Sequence, residues 1–193
     1  MKVKTKINYD KLKDLVKDMS KKYSVKVGLL ANKGGSEQIA ENLDYAGLGA
    51  VQEFGADIKI TEKMAAYLAI TAKELGLEKI EKHSDGYLHI PARSFLRMPL
   101  ARGKGIIKRL KKHMAVTSQE DITYYFATTG DMMSLAVILG ASAVEQINEA
   151  FDTNGFGKWA PNSPYTIAAK GSNKPLLDTG ELRRKITYEI EQK

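Results

Sequence analysis

The chain has 193 residues and no cysteine, which excludes disulfide bonds and thiolate metal sites and fits folding in a reducing cytoplasm. Hydrophobic residues make up 43% of the chain, an ordinary share for a globular protein, so we expect a real core and a single domain over residues 1–193. The net charge is +7, the basic N-terminus leads into no apolar signal segment, and the longest mostly apolar run, 135–141, is too short to cross a bilayer.

The first half of the chain predicts helices separated by short strands. Hydrophobic residues at spacings of three and four predict a helix over 8–22, and an alternating pattern predicts a strand over 24–30. Small apolar residues predict a helix over 43–54, and a glycine follows it. Residues 56–89 predict an inserted hairpin-and-helix element, whose helix begins after Thr61 as its N-cap.

The second half is more helical. Residues 94–113 predict a helix interrupted by two glycines, and a capping box at 118–121 begins another that runs to about residue 128. A long helix is predicted over 131–151, followed by an extended loop or arm over 152–183 and a final strand over 184–191 that pairs with the first strand. The apolar stripe of the long helix is expected at Val137, Ala141, Val144, Ile147 and Phe151. The predicted fold class is α+β, a small and mainly antiparallel sheet packed against helices.

The positive charge is concentrated in one segment. Between residues 93 and 113 there are eight basic residues and no acidic one, and removing these eight from the net charge of +7 leaves −1. Three interpretations stay open: a solvated helix face without a partner, an acidic protein neighbour, or nucleic acid. The candidate anionic-partner or DNA-channel patch consists of Arg93, Arg97, Arg102, Lys104, Lys108, Arg109, Lys111 and Lys112.

Patterns typical of catalysis are weak. The three histidines, His83, His89 and His113, have no metal-ligand spacing and are interpreted as surface residues. No nucleophile elbow, dinucleotide fingerprint or phosphate-binding loop is present in the sequence. We therefore expect no enzymatic activity, no cofactor and no metal.

Two groups of motifs stand on either side of the long helix. The upstream group is Glu53-Phe54-Gly55 followed by Ile90-Pro91-Ala92-Arg93-Ser94-Phe95-Leu96-Arg97. The downstream group begins at Phe151 and ends in a strand. It consists of Trp159, Pro161, Ser163, Thr166, Lys170, Pro175, Leu176, Leu177, Thr179, Gly180, Leu182 and Ile186.

In this order, the motifs resemble those of the phage virion morphogenesis or tail-completion proteins, the Mu protein G-like family, and the similar neck proteins of long-tailed phages. The resemblance covers roughly residues 24–55 and 90–190. In these relatives the two upstream motifs often lie close together, whereas here residues 56–89 come between them.

The resemblance implies a structural virion protein of the neck or head-proximal tail, which joins head and tail by oligomeric assembly. It implies a homo-oligomeric ring of six or twelve copies, other neck, connector and tail proteins as partners, and non-specific contact with genomic DNA in the channel. It implies no reaction, no cofactor and no membrane. The alternative function is a basic DNA-binding accessory protein that uses residues 93–113.

The segment 152–183 is the candidate interface. Tryptophan, tyrosine and leucine supply anchor area, and proline lowers the cost of ordering the chain. Gly180 is expected to take a positive φ in a tight turn. Two alternatives stay open, since the segment either packs on its own domain or reaches a neighbouring subunit. The candidate subunit or partner interface consists of Trp159, Pro161, Tyr165, Leu176, Leu177, Asp178, Gly180 and Phe95.

Overall fold

The computed structural model describes residues 22–77 and 85–193. The predicted helix over 8–22 lies outside these residues, apart from Lys22. In the described part, two-stranded antiparallel sheets combine with helices, so the predicted α+β class is confirmed.

The first and last strands pair with each other. Strand β1 (Tyr23–Leu29) and the C-terminal strand β6 (Ile186–Gln192) form a two-stranded sheet, as the sequence predicts. Backbone bonding continues to the end of the pair, where the N–H of Lys193 donates to the carbonyl of Lys22 at 2.7 Å. The two ends of the described chain are thus held together.

A short hairpin that the sequence does not predict leads into the first helix. Strand β2 (Gln38–Ala40) pairs with β3 (Leu43–Asp44), and helix α1 (Tyr45–Phe54) follows directly. Asp44 caps α1, because its carboxylate accepts from the backbone N–H of Gly47 at 2.7 Å.

The predicted hairpin-and-helix element over 56–89 is confirmed. Strand β4 (Ala56–Lys59) pairs antiparallel with β5 (Tyr87–Ile90), and helix α2 (Glu62–Glu74) lies between them in the chain. Thr61 caps α2 as predicted, with its Oγ1 accepting from the N–H of Met64 at 3.2 Å.

The basic segment forms two helices, but the break lies at 101–102, and the two glycines predicted to interrupt the helix lie in the first turn of the second one. Helix α3 (Arg97–Leu100) is one turn long, and α4 (Gly103–His113) resumes after Arg102. Helix α5 (Gln119–Thr129) begins with the predicted capping box. The N–H of Asp121 donates to Oγ of Ser118, and the N–H of Ser118 donates to the Asp121 carboxylate, both at 3.0 Å.

The long helix α6 (Met132–Asp152) buries a different stripe from the predicted one. Val137 is 37% exposed, so this part of the prediction is wrong, whereas Ile147 and Phe151 are buried as expected. The buried positions include small and polar residues, which hydrophobic periodicity does not mark. They are Ala136, Gly140, Ser142, Ala143, Gln146 and Ala150.

The segment 152–183 contains helices where an extended arm is predicted. Helix α7 (Pro164–Lys170) has Pro164 in its first turn and Ser163 as its N-cap, whose Oγ accepts from the N–H of Thr166 at 3.2 Å. Helix α8 (Glu181–Arg184) leads into β6. The extended arm is therefore replaced by short helices and turns.

Where the sequence predicts a single domain over 1–193, the described residues fall into two compact units. The first takes in 22–27, 102–146 and 188–193, and the second takes in the described residues of 28–101 together with 147–187. The second unit holds large fully buried side chains, Phe95, Ile147 and Phe151. None of the helices in the described ranges has the length and apolar character needed to span a bilayer.

Candidate functional site: the motif cluster and the basic helix

Glu53, in the last turn of α1, is a buried carboxylate that organises the chain entering α3. Only 3% of its surface is exposed. Its oxygens accept from Oγ of Ser94 at 2.7 Å and from the backbone N–H groups of Phe95, Leu96 and Arg97 at 2.6, 2.8 and 3.1 Å. Nε of Arg97 adds a fifth bond at 2.9 Å. Glu53 therefore satisfies backbone donors at the start of α3 that have no partner inside that helix.

These hydrogen bonds set the charge of Glu53. Burial alone would raise the pKa of its carboxyl group, but the bonds from Ser94, Leu96 and Arg97 outweigh burial and hold the pKa below its ordinary value. Glu53 is therefore ionised at neutral pH. The Arg97 guanidinium also stacks on the ring of Phe54, 4.2 Å from its centroid, so Arg97 is engaged by both residues of the Glu-Phe pair.

Arg93 lies inside the second unit, although the sequence places it in the anionic-partner patch. It is 7% exposed, and its guanidinium donates to two backbone carbonyls, Nε to Ala160 at 2.9 Å and Nη2 to Pro161 at 2.8 Å. Burial lowers the pKa of its guanidinium below the ordinary value. The patch prediction is wrong for Arg93 because charge in a sequence does not indicate burial.

Trp159 packs in the same place. It is 8% exposed, and its ring meets Phe151 edge to face at a centroid distance of 5.5 Å, while Phe151 meets Phe95 in the same way at 5.6 Å. Its Nε1 donates to the carbonyl of Ser94 at 3.2 Å. Trp159 and Phe95 are thus buried in their own unit and are not exposed anchors for a neighbour.

A left-handed turn brings Trp159 back onto α6. Residues 154–157 all have positive φ, between 50° and 76°. Gly155 is required there for a second reason, since a Cβ atom on it would lie 2.3 Å from the Trp159 ring. Thr153 supports the turn by accepting from the N–H of Phe156 at 3.1 Å.

The upstream and downstream motifs therefore meet in one place. We call Glu53, Arg93, Ser94, Arg97 and Trp159 the motif cluster. Each member contacts another or its flanking backbone across a sequence separation of about 40 residues or more. All five belong to the motifs found in the sequence, but the sequence does not indicate that Glu53 accepts the hydrogen bonds of Ser94 and Arg97.

The remaining predicted interface residues lie nearer the surface of the second unit. Pro161 and Asp178 are exposed, whereas Tyr165, Leu176 and Leu177 are half-buried. Gly180, also half-buried, has φ of +81°, which confirms the predicted positive φ.

Lys170 stabilises the loop that carries these residues. Its Nζ donates to the carbonyl of Leu177 at 2.9 Å and to that of Lys174. Burial lowers the pKa of Lys170, and the nearby Asp178 opposes this shift. Lys170, one of the downstream motif residues, thus holds the loop between α7 and α8 in place.

In the first unit, α4 divides the other basic residues between two faces. On one face, Arg109 donates to the carbonyl of Gly105 at 3.1 Å and to the side chain of Gln146, and lies 3.8 Å from Glu145. Nε2 of His113 lies 2.9 Å from the same Glu145. This face packs on α6, so Arg109 is not available to a partner as the patch prediction requires.

The other face of α4 is open. Lys104, Lys108 and Lys112 are exposed, and we call them the lysine face. Lys111 is half-buried and donates to the carbonyl of Thr117 at 3.3 Å, and Arg102 is exposed at the helix N-terminus. The predicted patch therefore reduces to a lysine face on α4. Arg93 and Arg109 are used inside the fold, and Arg97 is bound to Glu53 although its side chain is 63% exposed.

A histidine held between two carboxylates lies on the β4–β5 hairpin. Nδ1 of His89 lies 2.6 Å from Asp57 across the strand pair, and Nε2 lies 2.8 Å from Asp85. Hydrogen bonds to Asp57 and Asp85 raise the pKa of His89 above its ordinary value of 6.5. The sequence indicates a surface histidine here, and the cross-strand pairing that brings Asp57 opposite His89 is not visible in it.

The hairpin-and-helix element also exposes large apolar side chains. On α2, Tyr67 and Ile70 are 64% and 61% exposed. Residues three positions apart share one side of a helix, so these two side chains form one exposed apolar surface. Ile58 and Tyr87 on the hairpin are exposed as well. Exposed apolar side chains grouped on one element are typical of a contact surface.

No group of histidine and acidic side chains suited to a metal ion occurs among residues 22–77 and 85–193. In comparisons with known proteins, no family model, curated protein or solved structure matches the chain. The chain is thus defined by its α+β fold, its motif cluster and its basic helix.

Proposed function

We propose that this chain is a structural protein of the neck of a tailed bacteriophage, of the tail-completion or head–tail joining class. It acts by assembling into a homo-oligomeric ring in the virion and not by catalysis. Its partners in this proposal are further copies of itself and other neck, connector and tail proteins.

The observation that carries the proposal is the convergence of the motifs. Glu53 binds the start of α3, Arg93 binds the backbone at Ala160 and Pro161, and Trp159 binds the carbonyl of Ser94. Motif residues that are remote in sequence thus depend on one another for their hydrogen bonds. This mutual dependence supports treating the motif series as the signature of one fold, rather than as separate short matches.

A ring made of identical subunits needs two different surfaces on each subunit. We assign one of them to the outward side of α2, where Tyr67 and Ile70 are exposed. Tyrosine and isoleucine supply apolar area that a partner subunit would bury. We assign the second to the exposed part of 152–183, which includes Pro161 and Asp178.

Light scattering on the purified full chain, after size-exclusion chromatography, tests this proposal. The expected particle has six or twelve times the subunit mass of 21.4 kDa. The double variant Y67S/I70S is expected to shift the particle to smaller species. The matched control A65S/A69S, at exposed positions on another side of the same helix, is expected to assemble like the wild type. A wild-type chain that stays monomeric and binds neither tail tubes nor portal complexes would overturn the proposal.

A further inference from the structure

The lysine face of α4 is a regular row of positive charge. Lys104, Lys108 and Lys112 follow one another at intervals of four residues, so they lie about 6 Å apart along the helix axis and on one side of it. All three are exposed. In the ranges 22–77 and 85–193, no hydrogen bond or ion pair of these three lysines is found.

The acid packed against α4 does not neutralise this row. Glu145 of α6 lies against Arg109 and His113, on the other face of α4. The helix itself contains no acidic residue. The field of the lysine face is therefore uncompensated by the groups described around α4 and attracts an anionic partner.

We propose that the lysine face binds the phosphate backbone of double-stranded DNA without reading its sequence. Lysine binds phosphate oxygens as a point charge. It can also contact guanine, but the planar fork of arginine and the amides of asparagine and glutamine supply the fixed geometry that holds a base edge. Arg109 is the only such side chain within α4, and it is engaged with Gln146. The helix has no Phe, Tyr or Trp on which unpaired bases would stack, and its one imidazole, His113, is engaged with Glu145.

Two other anionic partners fit the surface less well. Lysine is depleted in protein–protein interfaces, which favour arginine and aromatic residues instead. A membrane-surface helix must insert an apolar face, but Leu110 is buried in the first unit and Ile106 is half-buried there, so Ile107 is the single exposed apolar side chain of α4. The phosphate backbone of DNA can bind the exposed lysines of α4 and requires no apolar contact with the helix.

The test is fluorescence anisotropy of the full chain with a labelled duplex of about 30 base pairs, over a range of salt concentrations. Three phosphate contacts give a slope of about −2.7 in log affinity against log salt, so the lysine face alone weakens binding about 40-fold between 50 and 200 mM salt. In K104Q/K108Q/K112Q the slope is expected to become shallower by about 2.7, with at least a ten-fold loss of affinity at the lower salt concentration.

Two further variants make the result specific. K59Q/K63Q/K73Q removes the same charge from exposed lysines of the hairpin-and-helix element and is expected to keep the affinity and the slope. K104R/K108R/K112R keeps the charge and is expected to bind as tightly as the wild type. Melting curves and light scattering on each variant ensure that folding and oligomeric state are unchanged.

Three results would overturn the inference: no wild-type binding at 50 mM salt, an equal loss in the two glutamine variants, or tighter binding to polyglutamate than to DNA. The last result would indicate an acidic protein partner. The inference does not rest on ring assembly, because anisotropy measures DNA affinity and light scattering measures the particle mass. Each proposal can therefore fail without the other.

Discussion

The motif cluster and the lysine face draw on the same run of basic residues, yet they use charge in opposite ways. In the motif cluster, Arg93 is buried and donates to backbone carbonyls, and Arg97 binds the buried carboxylate of Glu53. On α4, Lys104 and its neighbours one and two turns along are exposed. The eight basic residues are therefore not one surface, because the acceptors around each side chain decide what its charge does.

The two regions should therefore respond differently to substitution. Changes in the motif cluster remove partners from buried polar groups and should lower the free energy of unfolding. Changes in the lysine face remove exposed charge and should leave stability nearly unchanged while altering the affinity for an anionic partner. A substitution that behaves in the opposite way would break the distinction.

The largest stability effect is expected for Trp159→Ala. The substitution removes the ring that packs on Phe151 and the donor to the carbonyl of Ser94. Large-to-small changes of this kind cost about 3–5 kcal/mol, which chemical denaturation measures directly. Tyr124→Ala is the control, since Tyr124 is 72% exposed and its removal leaves no cavity. Normal stability of the Trp159 variant with failed assembly would contradict its assignment to the interior.

Glu53→Ala is expected to cost about 3 kcal/mol, because three backbone N–H groups at the start of α3 lose their acceptor. Glu41→Ala, at an exposed position, is the control and should not change the denaturation midpoint. If both variants were equally stable, the assignment of Glu53 as the acceptor for α3 would fail.

The pH dependence of Glu53 has a definite sign. Its pKa in the folded chain is lowered from the ordinary value of 4.5, so the unfolded chain binds the proton more readily. Its contribution is fully present above pH 4.5 and is lost as the pH falls through the lowered folded pKa. The stability difference between wild type and Glu53→Gln should therefore shrink on acidification below pH 4.5, as measured by urea unfolding at several pH values.

Arg93→Lys should have a smaller effect, of about 1–2 kcal/mol. Lysine keeps the charge but has no planar fork, so it cannot reproduce the two bonds to Ala160 and Pro161 in the same geometry. The matched control is Lys104→Arg, the reverse exchange on the lysine face. The denaturation midpoint should fall for Arg93→Lys and stay unchanged for Lys104→Arg. If both variants kept the wild-type midpoint, Arg93 would have to be assigned to the exposed patch instead.

Local sequence signals predicted the elements that depend on local chemistry. Thr61 and Ser118 cap helices as expected, and the alternating pattern of the end strands predicts their pairing. These signals succeed because a cap or a strand face depends on residues only a few positions away.

The sequence did not predict features that depend on distant partners. Gln146 is buried in the long helix although it is polar, because it packs against Gly105 and Arg109. The burial of Arg93 depends on carbonyls at residues 160 and 161. Hydrophobic periodicity compares residues only a few positions apart and does not include these partners. Polarity and charge therefore predict that Gln146 and Arg93 are exposed, whereas both are buried.

The smallest effect is expected at His89, which belongs to neither region and so provides a surface reference for both. Its pKa is raised, first by Asp57 and then by Asp85, so its stabilising contribution is present below the ordinary pKa of 6.5 and is lost as the pH rises through the raised value. An NMR titration of the imidazole should give a pKa above 6.5 in the wild type and a lower one in Asp57→Asn. Glu62→Gln, a charge change on the exposed surface of α2, should leave the titration unmoved. If Asp57→Asn also leaves the imidazole pKa unchanged, the cross-strand contact with Asp57 does not raise the pKa of His89. The assignment of Asp57 as the main cause of the raised pKa would then be wrong.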